Sequence, residues 1–251
     1  MIYGIQHPGS GVGDMLFCYL AARITAERLG VPFTMVGKSK YDAFITVDKG
    51  VEMEVPHHIE YPAGKLVIDL PLSIYEGKTY YDPEFNFIED NTIVDGCRIQ
   101  DERYFENYPI GEWLKSEPLN IPPDTGVINF RGGEFQVIPE LFLSEDYWRR
   151  AIATMQKKHG YIHSYEIHTD DPAAAERMFG KMKLGPIIHN VGINWRSVRS
   201  AHHAIIANSA FGIIPRLLAK GTTIAPRYWA RPYSTEWTHQ PQNYYKDFIY
   251  V

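Results

Sequence analysis

A chain of 251 residues, 45% hydrophobic and 22% charged, has ordinary globular composition and suits one large α/β domain or two smaller ones. A formal net charge of -5 argues against broad nucleic-acid binding, although an acidic protein can still hold a local basic pocket for a phosphate. No apolar run approaches the roughly 20 residues that span a bilayer, so no integral membrane segment is expected, and 2 cysteines are too few for a disulfide framework.

The opening MIYGIQHPGSGVGD lacks the basic start and apolar centre of a signal peptide, which with the sparse cysteines leads us to expect a soluble protein of a reducing, cytoplasmic compartment. Residues 1–6 alternate as a first strand. HPGSGVGD then carries three glycines in five residues and must be a tight loop. From 14 to 29, Leu16, Leu20 and Ile24 recur every fourth residue with Arg23, Glu27 and Arg28 elsewhere, the pattern of an amphipathic helix that Gly30 ends. PFTMVG reads as the next strand. The loop is not a phosphate loop, because no Lys follows its glycines, and GSGVG has the wrong spacing for GxGxxG, so no nucleotide is expected there.

Residues 37–124 read as short strands, such as FITV at 44–47 and LVIDLPL at 66–72, separated by long loops. The aromatic-rich segment 80–113 suits core and loop anchors, with a sugar-lining role as the alternative. Proline and asparagine crowd SEPLNIPPD at 116–124, and the domain boundary is placed there, giving domains 1–120 and 121–251. Beyond it the rhythm is regular: GVINF at 126–130, a helix at 145–159, SYEIHT at 164–169, a helix at 172–181, an apolar piece at 186–192, a helical turn at 197–203, and TTIAP at 222–226. Such alternation predicts a parallel sheet covered by helices on both faces. The tail, 227–251, is rich in Tyr and Trp and is expected to pack back over a domain face.

The stretch AIIANSAFGIIPRLLA at 204–219 reads as a buried strand that stops at Asn208 and Ser209 and becomes a helix from about 210 to 220. A helix start at the carboxyl end of a parallel strand can receive a diphosphate, though the same residues also suit an ordinary capped helix. Arg131 follows the strand ending at Phe130, beside Gly132, Gly133 and Glu134; its guanidinium matches phosphate oxygens, and pairing with Glu134 is the plain alternative. Asp170 and Asp171 are read as helix caps ahead of Pro172, with a paired-carboxylate acid and base site as the alternative. The pairs His57–His58 and His202–His203 lack further ligands at metal spacing, so no metal is expected.

Four stretches resemble the α-1,2-fucosyltransferases of glycosyltransferase family 11 and their GT-B relatives. GVGDMLFCYLAARITAERLG at 11–30 is similar to the family's GLGNQ(L/M)FQYAAARALAxxLG, with Asp14 for Asn and Met15 for Gln. NFRGGEF at 129–135 is similar to HxRRGDY, HTDDPAAAERMFG at 168–180 to the TDDP segment, and AHHAIIANSAFGIIPRLLAKGTTIAP at 201–226 to CxHxIxANSxFSWWxAWL and the strand after it.

The resemblance implies an α/β, GT-B-like fold of two Rossmann-like domains facing a cleft, the N-terminal domain on the acceptor side and the C-terminal domain holding a GDP-sugar. It implies that Arg131 binds the diphosphate of GDP, that Ser209 with Asn208, Ala210 and Phe211 binds the β-phosphate, and that Asn194 falls near a guanine-binding position. The activity implied is inverting transfer of a 6-deoxyhexose, foremost L-fucose from GDP-fucose, to a hydroxyl of a glycan acceptor, with no metal and no further cofactor. Asp14 is the candidate general base, with helix capping as its alternative. Departures from the pattern are Asn129 for His, Gly132 for the second Arg, Glu134 for Asp, and Gly212, Ile213 and Ile214 for Ser-Trp-Trp. Arg196 and Arg199, read as lying on a neighbouring loop, could replace the missing cation. A non-catalytic carbohydrate or nucleotide-sugar binding protein, and an unrelated nucleotide-binding α/β enzyme, are the rival readings.

Overall fold

The computed structural model describes residues 1–52, 73–78, 81–160, 162–228 and 245–251. Its contacts divide the chain into two units, Met1–Lys115 and Ser116–Val251.

In the first unit, strand β1 (Ile2–Ile5) leads through the glycine loop into helix α1 (Val12–Leu29) and strand β2 (Phe33–Val36). Gly30 ends the helix at φ 66°, a left-handed conformation that glycine adopts without steric cost. Strands β3 (Ser73–Glu76) and β4 (Thr92–Asp95) complete a parallel sheet in the order β2-β1-β4-β3, followed by the short helix α2 (Ile110–Trp113).

The expected amphipathic α1 is instead buried nearly all round, with every residue from Met15 to Ala22 inside. The sheet covers one side, where Gly4 leaves room: a Cβ there would stand 2.7 Å from Ala22 Cβ. The segment after β4 covers another, since a Cβ on Gly96 would stand 2.4 Å from Ala21 Cβ. Phe17 stacks on Phe105 at 5.6 Å, and Arg23 lies 4.5 Å from the Trp113 ring. Phe85, Tyr104, Phe105 and Trp113 are buried, so these aromatics of the 80–113 segment are core. FITV forms no strand; Thr46 makes a single antiparallel bridge to Lys115. LVIDLPL, Tyr80 and the His57–His58 pair lie outside the described residues.

The second unit alternates strands β5 (Thr125–Phe130), β6 (Ser164–Thr169), β7 (Ile187–Ile188), β8 (His203–Ile206), β9 (Thr222–Ala225) and β10 (Phe248–Tyr250) with helices α3 (Glu145–His159), α4 (Pro172–Phe179), α5 (Val191–Ser200) and α6 (Ala210–Leu217). Among the described residues the sheet is parallel throughout, in the order β10-β9-β8-β5-β6-β7. Counted from β5 as the first strand, that order reads 3-2-1-4-5-6, the doubly wound arrangement of dinucleotide-binding sheets. Phe130 meets Trp148 and Phe179 edge-on at 5.7 and 5.3 Å in the core beneath α3 and α4.

Several boundaries differ from expectation, and the helix expected at 172–181 ends at Phe179. Asn190 Oδ1 accepts from Ile193 N–H at 2.9 Å and starts α5 at Val191, so the apolar piece at 186–192 shrinks to a two-residue strand, and His203 belongs to β8. Helix α6 ends at Leu217, three residues early. The buried Arg216 explains how α5 ends. Its guanidinium donates to Val198 O, Ala201 O and Thr223 Oγ1 at 2.8–2.9 Å, binding the carboxyl end of α5 to the start of β9. Burial lowers its pKa to about 10.

Candidate functional site

Parallel α/β sheets bind ligands at their carboxyl edges, in the crevice where neighbouring strands send their connections in opposite directions. In the second unit that crevice lies between β5 and β8. From β5 the chain moves through β6 to β7, then returns to β8 on the other side and continues to β9 and β10. Arg131 leaves β5 at this point and Asn208 and Ser209 follow β8, so the sheet brings together the residues that the sequence singled out.

Arg131 is clamped by acids. Its Nη1 lies 2.5 Å from Asp170 Oδ2, and its Nη2 donates to Glu134 Oε1. The remaining donor, Nε, is buried without a hydrogen-bond partner among the described residues, and the guanidinium carbon lies 5.4 Å from the Phe135 ring. The Arg131 side chain is 27% exposed, so solvent or a ligand can still reach it.

Asp171 caps α4 as expected, accepting from Ala174 N–H at 2.9 Å, but Asp170 does not. It accepts from Gly132 N–H at 2.8 Å and pairs with Arg131, so this carboxylate organises the turn after β5. Gly132 is sterically required: a Cβ would stand 2.6 Å from Asp171 Cβ and 3.1 Å from Ala174 Cβ.

Across the crevice, Ser209 caps α6. Its Oγ accepts from Phe211 N–H at 3.4 Å, and its carbonyl accepts from Gly212 N–H at 2.9 Å. A 3.4 Å cap is long, so the hydroxyl can rotate away at small cost and leave the fixed Phe211 N–H to a ligand oxygen. Phe211 packs edge-on against Trp195 at 5.8 Å, Ala210 is buried, and Asn208 Nδ2 donates to Leu141 O at 3.1 Å.

Beneath the first turn of α6 lies Asn129, 5% exposed, whose Oδ1 is buried without a hydrogen-bond partner among the described residues. Gly212 permits that contact, because a Cβ there would come within 2.6 Å of Asn129 Oδ1. Unsatisfied buried polar atoms are uncommon and call for an explanation.

Three expected contributors are engaged elsewhere. Asn194, buried on α5, meets His168 Nδ1 through Oδ1 at 3.0 Å and donates from Nδ2 to Thr169 O at 3.0 Å, so the oxygen that a guanine contact needs is occupied. Arg196 and Arg199 lie on α5 rather than a loop. Arg199 donates to Ser116 Oγ at 2.7 Å, and Arg196 Nε donates back to Gly192 O at 3.4 Å.

The first sheet has its own crevice of this kind, between β1 and β4, since β1 leads through α1 to β2 on one side and β4 lies on the other. Asp14 stands in the first turn of α1 above it, half-buried. A pair missed from the sequence also stands there: His7 Nε2 lies 3.1 Å from Asp95 Oδ2. The two residues are 88 positions apart, and only the β1–β4 pairing joins them. Nearby, the buried Cys18 thiol hydrogen-bonds Cys97, and this contact and then burial push its pKa well up.

Among the described residues no group of three or more His, Cys, Asp or Glu could hold a metal ion, and no helix is long and apolar enough to cross a membrane. No family model matches the sequence, and neither does any curated protein. Among solved structures, the chain is similar to the fucosyltransferase NodZ from Bradyrhizobium, at 14% identity over 87% of this chain and 92% of that one with a TM-score of 0.47. NodZ, an α-1,6-fucosyltransferase, soaked with GDP-fucose gives 15% identity over the same shares and a TM-score of 0.48. The chain is also similar to the E. coli heptosyltransferase WaaC with ADP, at 13% identity over 92% of this chain and 88% of that one, with a TM-score of 0.47.

Proposed function

We propose that this protein is an inverting, GDP-sugar-dependent glycosyltransferase of the GT-B kind, moving a 6-deoxyhexose, foremost L-fucose from GDP-fucose, to a hydroxyl of a glycan acceptor without metal or further cofactor. The observation that carries the reading is the convergence at one sheet crevice of the partly exposed Arg131 and the Ser209-capped start of α6. The resemblance of the stretches around Arg131 and Ser209 to fucosyltransferase motifs supports the choice of donor.

In this reading residues 116–251 hold the donor and residues 1–115 receive the acceptor. The diphosphate takes Arg131 and the α6 start, whose fixed dipoles and N–H donors stabilise the charge that builds as GDP leaves. Glu134 yields its place on Arg131 to a diphosphate oxygen, while Asp170 keeps the guanidinium oriented. Phe135, beside Arg131, offers an apolar wall. The leaving group departs through a loose, oxocarbenium-like transition state.

Calorimetric titration with GDP and ADP in the presence of chelator, followed by GDP release from GDP-fucose and GDP-mannose, tests this. Metal-free binding that favours GDP, with donor cleavage, is expected. Preference for ADP would refute the donor assignment. GDP binding with no cleavage of either sugar would leave a binding protein, and binding that returns only with magnesium or manganese would refute the metal-free site.

A further inference from the structure

Strand β6 ends in a carbonyl that its neighbouring strand does not reach. Tyr165 and Ile167 donate their N–H groups to Leu184 O and Pro186 O at 3.1 and 2.9 Å, so alternate residues of β6 turn their backbone groups toward β7. Thr169 is next in that alternation, but the pairing with β7 stops at His168 opposite Ile188. The Thr169 carbonyl takes a side chain instead: Asn194 Nδ2, from α5, donates to it at 3.0 Å. His168, Thr169 and Asn194 are all buried, so the bond is made away from solvent.

His168 holds the Asn194 amide in that orientation. Because Nδ2 faces a carbonyl, Oδ1 faces the imidazole, and His168 Nδ1, 3.0 Å away, must carry the hydrogen that Oδ1 accepts. The other ring nitrogen, Nε2, lies 3.2 Å from Glu166 Oε2. Beyond Thr169 the chain passes directly to the acids beside Arg131. Asp171 N–H donates to Thr169 Oγ1 at 2.9 Å, while Asp170 accepts from Gly132 N–H at 2.8 Å and pairs with Arg131 at 2.5 Å. The strand end that His168 and Asn194 secure is therefore the mount of the carboxylate that orients Arg131. All of these groups belong to the second unit.

We infer that His168 is a positioning residue for the diphosphate site: its Nδ1–H fixes the Asn194 amide, the amide fixes the end of β6, and Asp170 there presents Arg131 to the donor. The inference rests on the donor-site reading above and gives Asn194 a task other than guanine contact. His168 and Asn194 touch no ligand in this scheme and act through Asp170. Without their lock, donor binding has to order the turn before Arg131 can donate to a diphosphate oxygen, and that ordering is subtracted from the affinity.

The test uses two substitutions that each keep half of the ring. Asparagine puts an amide N–H near the place of Nδ1 and can still donate to Asn194, whereas glutamine puts one near Nε2 and cannot. Packing ranks the two the other way, because asparagine is smaller and leaves the larger cavity. GDP affinity by calorimetry, amide hydrogen exchange at Gly132 and urea unfolding are measured on the full chain. His168→Gln is expected to bind GDP about 3- to 10-fold more weakly than the parent, the affinity equivalent of one neutral hydrogen bond. Asn194→Asp, which keeps the acceptor for His168 but removes the donor to Thr169, should lose as much. His168→Asn should bind GDP nearly as tightly as the parent although it unfolds more easily than His168→Gln. Exchange at Gly132 should quicken in His168→Gln and Asn194→Asp and not in His168→Asn. GDP affinities that follow stability, with His168→Asn weakest, or that change in no variant, overturn the inference and leave the donor site standing; equal Gly132 exchange in all variants overturns it as well. If the parent binds no GDP, the donor-site reading falls and the positioning role falls with it, even where Gly132 exchange shows that the lock holds the turn.

Discussion

Glu134→Gln should tighten the binding of GDP, against the habit that mutating a site residue weakens it. Glu134 is 59% exposed and pairs with the outer nitrogen of Arg131, where a diphosphate oxygen would have to sit. Exposed ion pairs of this sort are worth about 0.2–1 kcal/mol, so removing the competitor should lower the dissociation constant for GDP by about 1.5- to 5-fold. Deleting a negative charge next to an incoming diphosphate acts in the same direction. Stability should change by no more than the same small amount, because the turn itself hangs on Asp170 through Gly132 N–H. Calorimetric titration of parent and variant at fixed ionic strength reads the effect, and the gain should shrink as salt rises. An unchanged or weaker affinity would mean that the diphosphate does not approach this side of Arg131.

Arg131→Ala should cost about 100- to 1000-fold in turnover, the scale of one lost charge-stabilising donor, while thermal unfolding shows the variant folded. Full turnover in a folded variant would remove Arg131 from the mechanism. Gly132→Arg, which would restore the second arginine of the fucosyltransferase motif, should destabilise the protein by about 1–3 kcal/mol in urea unfolding, because its Cβ meets Asp171 and Ala174. An increase in GDP affinity without loss of stability would refute that steric argument. Arg216→Met should lose about 3 kcal/mol or more in the same assay, since it leaves the carbonyls of Val198 and Ala201 buried without their donor; a loss under about 1 kcal/mol would show that water satisfies them.

The second unit is legible because its strands announce themselves: GVINF and HAII are largely apolar and SYEIHT is rich in strand-forming residues, all three are bounded by turn residues, and SYEIHT and HAII run into caps that the sequence displays. Asp171 ahead of Pro172, and Ser209 ahead of Ala210, could be read as helix starts before any coordinates. Asn190 carries the same signal before Val191, but it was hidden by the apolar PIIHNVG, whose second half belongs to the helix. What could not be read was lateral. The partner of Asp170 is Arg131 rather than a helix end, and the partner of His7 is 88 residues away. Each pair exists only because two strands lie side by side. Local propensity contains no information about that adjacency, and single-residue roles drawn from motif position inherit the same blindness, as the engaged oxygen of Asn194 illustrates. The turn after Arg131 shows the same limit, because motif position does not reveal that Gly132 is held against α4 with no space for a side chain.

The burial of α1 on nearly all sides bears on when the protein can fold as it leaves the ribosome. A helix with a single apolar stripe can dock as soon as its sheet partner exists. The residues β1, α1 and β2 would leave Phe17, Cys18 and Ala21 bare, because their cover comes from Phe105, Cys97 and Gly96. Arg23 waits for Trp113 in the same way. Synthesis therefore delivers the most apolar helix of this unit almost first and its outer wall almost last. At about 5–20 residues per second the interval lasts several seconds, a period of aggregation risk in which α1 offers a holding chaperone a target.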